Sequence, residues 1–338
     1  MEIDHAIATV AAALHYHRAP VSDGRGAVKD DAMSKVRSKE AEGARRGFMA
    51  VLVAFLIWGL LPLYLKPMHE VPALQIMSNR LLWCCLFVVA WMAARGELPK
   101  IAAALAHAPT RYRLMASAVL ISVNWLVYVW GVNNGHLIES SLGYFINPLV
   151  NVLLGVLVLR ERLNSPQWTA VAFAVAGVLW LTWISGAPPW IALTLALSFS
   201  SYGLIRKVVA VDAITGLATE TLLIAPLGAA YLIWLEVHGG GALGHSGPLV
   251  NVMLVAGGLV TAVPLALFAF GARLIPYSTV GLIQYIGPTM QLLLGVFLYH
   301  EPFTNERAVG FALIWMALAI YAGDGLMRAR RSVVLPAT

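Results

Sequence analysis

From Phe48 onward the chain alternates long apolar runs with short polar breaks. The runs lie at about 48–66, 73–94, 112–132, 139–159, 166–184, 188–206, 215–236, 249–271, 278–299 and 304–324. Most approach the roughly 20 residues that a helix needs to cross a bilayer. The breaks carry turn residues: Pro67 and Pro72, Gly96 and Pro99, Pro166, the 186–189 turn and the 239–247 loop. The pattern predicts an all-α polytopic membrane protein with ten transmembrane helices.

The fourth run, SSLGYFINPLVNVLLGVLVLRER from Ser140 to Arg162, holds Pro148 beside Asn147. An interior proline breaks a helix in water but is tolerated in a membrane, where neighbouring helices satisfy the freed carbonyl. The run recurs 140 residues later as STVGLIQYIGPTMQLLLGVFLYHE. Ile146, Pro148, Leu153, Leu154, Gly155, Val156 and Glu161 meet the same residue types at 286, 288, 293, 294, 295, 296 and 301. Leu142 falls on Leu282, and Gly131 on Gly271. A repeat unit of five helices is odd, so the two copies lie in the membrane with opposite orientations. Inverted repeats are the architecture of secondary transporters, with the substrate site near the midplane. The expected organisation is a tail at 1–44, a first five-helix repeat at 45–186, a second at 187–328, and a short basic tail at 329–338.

Composition agrees with this reading. Of 338 residues 59% are hydrophobic and 12% charged, against about 25% charged in soluble proteins. The net charge of +6 is no nucleic-acid signal, because the basic residues gather at helix ends. With Arg45 and Arg46 inside, the inside breaks hold Arg95, Lys100, Arg111, Arg113, Arg160, Arg162, Arg206, Lys207 and Arg273. The outside breaks hold only Lys66 and Arg307. This asymmetry places both termini in the cytoplasm and the protein in the cell (inner) membrane. Residues 1–44 show no periodic order and read as a disordered cytoplasmic tail, or as an over-extended start with Met33 as the initiator. Cys84 and Cys85 are neighbours on one helix and unsuited to a mutual disulfide. There is no phosphate-binding loop of the Walker type, no HExxH cluster, and no cofactor or ATPase subunit is implied.

The segments NWLVYVWGVNN (Asn124–Asn134), SLGYFINPLVNVLLG (Ser141–Gly155) and GLIQYIGPTMQLLL (Gly281–Leu294), with LIWGLLPLY and YGLIRK, resemble the RarD family. That family belongs to the EamA branch of the drug/metabolite transporter superfamily, and the resemblance covers about residues 45–328. It implies ten helices, two EamA repeats and a central cavity open to one side at a time. Its members are labelled chloramphenicol-sensitive proteins and taken as permeases. The long N-terminal tail departs from the family's short start.

Polar residues at membrane depth are the candidates for function. Tyr144, Asn147 and Asn151 share one helix face. Their repeat counterparts are Gln284, Gly287 and Gln291, with Tyr285 adjacent. They read as cavity lining or, more plainly, as interhelical hydrogen bonds. Asn124 and Tyr128 share a face near Trp125, and the rings suit stacking or a cation as well as ordinary packing. Trp58 is a weaker candidate of the same kind. Arg80 stands against the charge asymmetry, either to bind a carboxylate in the cavity or to reach outer headgroups. Pro148 and Pro288 are expected as paired gating kinks, and Glu161 and Glu301 as helix-end or loop salt bridges. Gly131/Gly135, Ala172/Ala176 and Ala308/Ala312 read as packing pairs. No carboxylate lies clearly at mid-membrane, with Glu220 in the inner part of helix 7, so facilitated transport or exchange stands beside proton coupling. The sequence thus describes a secondary transporter of a small organic molecule, working by alternating access with the lipid bilayer as its medium. A membrane-embedded enzyme and a scaffold or channel-like subunit are the rivals.

Overall fold

The structure, a computed structural model, describes residues 25–159, 163–272, 274–275 and 283–334. It divides into two compact units, Met1–Arg45 and Arg46–Thr338. Every described element is helical. In chain order they are α1 (Arg25–Gly59), α2 (Leu61–Leu65), α3 (Ala73–Ala94), α4 (Leu98–Ala106), α5 (Ala108–Asn133) and α6 (Leu137–Leu159). Then follow α7 (Ser165–Ser185), α8 (Trp190–Val208), α9 (Ala213–Val237), α10 (Pro248–Ala272), α11 (Ile286–Leu293) and α12 (Asn305–Val334). Each of the ten apolar runs carries helix. Among the described residues six helices are long and apolar enough to cross a membrane, and a bent pair makes a seventh. The α8 segment and the α11 segment with its π-helical end, Leu294–Leu298, are shorter apolar helices.

Three local features differ from the sequence reading. Residues 25–44 are helical and belong to α1, consistent with their many good helix formers (Ala, Lys, Glu, Arg). Residues 1–24 lie outside the described part. The first run breaks at Leu60 with a 44° bend into α2. Pro62 lacks the N–H that would bond the carbonyl of Trp58 four residues back. The break around Gly96 and Pro99 holds the additional helix α4, with Pro99 in its first turn. Its Ile101 packs beside Met92 and Leu217, and its Ala104 beside Leu114 and Val209.

Lipid tails are as apolar as leucine, so helix association here depends on close packing by small residues. Gly258 of α10 sits where a Cβ would come 2.5 Å from the backbone of Trp83 in α3. Gly143 of α6 lies against the backbone of Ala192 in α8. Gly177 of α7 meets the carbonyl of Gly310 in α12. Residues 46–59 join α10 where Gly47 faces Gly271. The α7–α12 seam is therefore made by Ala170, Ala174 and Gly177, while Ala172, Ala176 and Ala312 are exposed. Gly135 is a left-handed turn residue with φ 77° and no near neighbour; Gly131 does pack, against Ser140.

The pairing of helices is regular. The helix α3 packs on α9 and α10, α5 on α8 and α9, α6 on α8 and α11, and α7 on α12. Large apolar side chains at Leu157, Leu179, Leu227, Ile233 and Phe297 point outward, as a lipid-facing surface requires. Exposed Trp91, Trp168, Trp183, Trp190 and Trp234 stand in the end turns of their helices, where amphipathic rings meet headgroups.

Two carboxylates hold helix ends. Glu301 accepts from the N–H groups of Leu137 (2.8 Å) and Ile138 (2.9 Å) at the start of α6. Glu139 accepts from Ile191 N–H at the start of α8. Glu301 is thus a helix-end group, as expected, but it meets backbone donors that have no intrahelical partner rather than a basic side chain. Glu161 lies outside the described residues.

Gly258→Leu is expected to destabilise the detergent-solubilised protein by about 1–3 kcal/mol, because the backbone of α3 blocks the new side chain. Gly203→Ala, where a Cβ meets nothing within 4 Å, is expected to leave stability unchanged or raise it by up to about 1 kcal/mol. Thermal unfolding midpoints of the two variants check both.

Candidate functional site

The polar side chains of the bundle converge where α3, α5, α6, α8 and α10 meet. On α5, Asn124 and Tyr128 are one turn apart and face the same way. Asn124 is buried, and its amide donates to the carbonyl of Leu195 (2.9 Å) and the hydroxyl of Ser198 (3.0 Å). Its oxygen accepts from the Tyr144 hydroxyl at 3.3 Å. One side chain therefore ties α5, α6 and α8 together. The Tyr128 and Tyr144 rings lie 5.7 Å apart, and Tyr144 meets Phe199 edge-on. The Tyr128 hydroxyl is buried without a hydrogen-bond partner.

Arg80 adjoins this group from α3. Only 4% of it is exposed. Its Nε and Nη2 donate to Thr261 of α10 at 3.2 and 3.1 Å, and Thr261 in turn donates to the carbonyl of Gly257. Gly257 leaves room for the stem of Arg80. The guanidinium lies over the Trp125 ring, 5.6 Å from its centre, a cation–π contact. Tyr64 of α2, which donates to the carbonyl of Met253, stands near the same guanidinium, as do Tyr128 and Tyr144.

Beside Trp125 lies a narrow, partly open cavity, with Leu81, Ile121, Tyr202, Glu220 and Thr221 among its walls. Its free volume of about 10 Å³ is close to what one water needs. Glu220 of α9 is buried, accepts from Ser117 at 2.5 Å, and pairs with Arg206 at 3.6 Å. Tyr202 adds a longer bond at 3.5 Å. Among the described residues no group of three or more His, Cys, Asp or Glu is placed to hold a metal.

Of the residues singled out by sequence, Arg80, Asn124, Trp125, Tyr128 and Tyr144 come together here. Asn147 is buried one turn along α6; its side-chain oxygen has no partner and its carbonyl accepts from Ser200. Trp58 and Gln291 meet elsewhere. The Gln291 amide donates to the Trp58 carbonyl at 3.0 Å, the one left free by Pro62. Trp58 itself packs with Phe55 and Phe268. Tyr285 stacks on Phe145 in a separate aromatic cluster with Phe311 and Trp315. Gln284 is half-buried in the turn before α11. The side chain of Asn151 lies outside the described residues.

The two prolines are not equivalent. Pro148 is interior to α6. Pro288 stands in the first turn of α11, which starts at Ile286. First-turn amides have no intrahelical acceptor, so within α11 Pro288 removes no bond; the turn at 284–285 stands just before it. Sequence reasoning missed Thr261 and Ser198, which nothing distinguishes from other small hydroxyls in apolar helices. It placed Glu220 only in the inner part of helix 7.

Comparison with known proteins gives this architecture a context. The EamA-like transporter family matches residues 45–183. Protein RarD of Escherichia coli is 42% identical over 293 residues, covering 87% of this chain and 99% of that protein. An uncharacterized transporter of Pseudomonas aeruginosa is 44% identical over 291 residues, 85% of this chain and 96% of its own. The uncharacterized transporter YojE of Bacillus subtilis is 42% identical over 289 residues. A crystal structure at 20% identity superposes with a TM-score of 0.53, over 81% of this chain and 96% of its own, a likeness of fold alone.

Gln291→Leu strands the Trp58 carbonyl in an apolar interior. The expected cost is roughly 0.6–1.7 kcal/mol, the range of single interhelical bonds in membranes. Gln291→Glu, which offers the carbonyl a donor only when protonated, is expected to recover stability as the pH is lowered. Midpoints of the two variants across pH measure it.

Proposed function

The chain belongs to the RarD family of EamA-like transporters, multi-pass membrane proteins and not enzymes, and from that premise we propose that it moves a small organic molecule by alternating access. The substrate site is the buried group of Arg80, Asn124, Trp125, Tyr128 and Tyr144. The single observation that carries this reading is the convergence of these side chains beside a narrow cavity at the junction of five helices. Asn147 extends the same face of α6. Gln291 and Tyr285 act away from this site, Gln291 by supporting the Trp58 carbonyl and Tyr285 by packing on Phe145.

The ten runs form two five-helix repeats of opposite orientation, 45–186 and 187–328. The helix contacts support it. Numbering the runs one to ten, contacts join run 1 to 8, 6 to 3, 2 to 8, 7 to 3 and 6 to 4. Runs 2 and 7, 4 and 9, and 5 and 10 meet one another. Run 1 reaches run 9 through Gln291 and Trp58. Exchanging the halves leaves these contacts unchanged, as a two-fold relation between the repeats requires, while the contacts of run 4 with run 10 and of run 1 with run 3 have no such counterpart among the described residues. Both termini are cytoplasmic by the distribution of Lys and Arg, and the membrane is the bacterial inner membrane.

The cavity as described is narrowed to water size. Transport therefore needs the repeats to move, and Pro148 gives α6 a place to bend beside Tyr144. In this state Tyr144 bonds Asn124 and packs edge-on against Phe199.

Reconstituted into proteoliposomes, the protein is expected to give saturable flux of at least one compound from a panel of amino acids, sugars and amphipathic drugs such as chloramphenicol. Trp125→Ala and Asn124→Ala are expected to lower that flux about tenfold or more, at unchanged insertion. Linear, unsaturable flux would contradict the transporter mechanism. Reporters at the C-terminus and in the 239–247 loop should report inside and outside respectively; a C-terminus outside would overturn the even helix count. Pro148→Ala should shift cysteine accessibility toward one side of the membrane.

A further inference from the structure

The helices α3 and α9 begin at Ala73 and Ala213, 140 residues apart, which is the offset of the sequence repeat. Arg80 and Glu220 are separated by the same 140 residues, so the two repeats bury opposite charges at one equivalent position. Arg80 is 4% exposed and Glu220 2%. Their surroundings then diverge. Glu220 has a counter-charge, Arg206, and the hydroxyls of Ser117 and Tyr202. Arg80 has Thr261 and the face of Trp125, and among the described residues no carboxylate pairs with it.

A guanidinium cannot shed its proton in a protein, so Arg80 keeps a full charge in a dry setting. An unpaired buried charge is strongly unfavourable, and a fold that needs one for structure supplies its partner. At position 220 this fold does so; at position 80 it does not. Two donors are also left over in this group of side chains. Arg80 Nη1 and the Tyr128 hydroxyl are buried and unbonded, and the Tyr128 ring packs on Tyr144, whose hydroxyl meets Asn124. A buried orphan donor normally finds a partner.

We infer that Arg80 is the anchor for a substrate carboxylate, and that the molecules carried are small organic acids with a flat or branched apolar body. This rests on the transporter reading above. The unbonded Arg80 Nη1 offers a charge-assisted donor to a carboxylate, and the Tyr128 hydroxyl of the same group is a second free donor. The Thr261 bonds aim the guanidinium by holding its Nε and Nη2 edge, which leaves Nη1 for the ligand. Trp125 lies under the guanidinium and also lines the cavity with Leu81 and Ile121. The apolar body of the acid therefore has a surface next to its charged group.

The test uses the purified full-length protein and matched pairs of probes: benzoate with benzamide, phenylacetate with phenylacetamide, and 3-phenylpropionate with its amide. Thermal midpoints are followed over a concentration series of each. At least one acid should stabilise the protein more than its neutral amide. Arg80→Gln should abolish the difference between acid and amide, and Tyr128→Phe should narrow it. Arg80→Lys retains charge without the planar fork and should need about tenfold more acid for the same shift. Without ligand, Arg80→Gln should unfold at the wild-type midpoint or higher, since it removes an uncompensated charge. Acids and amides that behave alike in the wild type overturn the inference. So does an acid preference that survives in Arg80→Gln. A lowered ligand-free midpoint in both Arg80→Gln and Arg80→Lys, with wild-type acid response in Arg80→Lys, would mark a structural cation and also overturn it. The transport reading is judged separately, by flux of the preferred acid into proteoliposomes. Acid-selective stabilisation without flux removes the transporter and keeps the site; saturable flux of neutral compounds without acid preference does the reverse.

Discussion

Inside a bilayer a polar group has no water to turn to, and each must be satisfied within the protein. The arrangement of this bundle follows from that constraint. Pro62 bends the first span and frees the Trp58 carbonyl; a glutamine from α11 supplies the missing donor. The start of α6 exposes unpaired amides, and Glu301 reaches across to accept from two of them. Glu139 serves α8 in the same way. These contacts fix which helix ends adjoin. The helices are held close by glycine and alanine, because in lipid only tight contact favours one apolar surface over another.

Several buried polar atoms lack a partner, and those around the charged Arg80 concern the candidate site. Asn124 uses both ends of its amide to join three helices, and so gives the centre a rigid polar floor. Next to it stand a guanidinium with an unused N–H and a tyrosine hydroxyl with none of its bonds made. A protein that repairs a carbonyl freed by one proline is not indifferent to buried polar groups. The open donors of Arg80 and Tyr128 are what the proposed carboxylate would meet.

The internal repeat adds a comparison that single-copy folds lack. Positions 140 residues apart fall at matching places in the sequence repeat, so differences between them point to what each copy has been adapted to do. Opposite charges at 80 and 220, one compensated and one not, are the clearest such difference. The prolines are another. Pro148 stands inside the continuous helix α6, whereas its repeat partner stands in a first turn where the lost N–H is not missed.

The linear sequence determined the membrane class, the positions of the ten apolar runs, the repeat and the family resemblance. All of these rest on composition, run length and spacing along the chain. It also pointed to Arg80, Asn124, Trp125, Tyr128 and Tyr144, since polar residues in apolar runs stand out one by one. Tertiary structure alone decided which of them meet. Helices apolar on nearly every side have no polar stripe to mark the outward face, so periodicity cannot orient them. That is why the α7 seam runs along Ala170, Ala174 and Gly177 rather than the Ala172/Ala176 pair. It is also why Gln291 serves a backbone carbonyl 233 residues away, and why Thr261 became the partner of Arg80. Hydrogen bonds between distant helices leave no local signature, because either partner alone is only one polar residue in an apolar run.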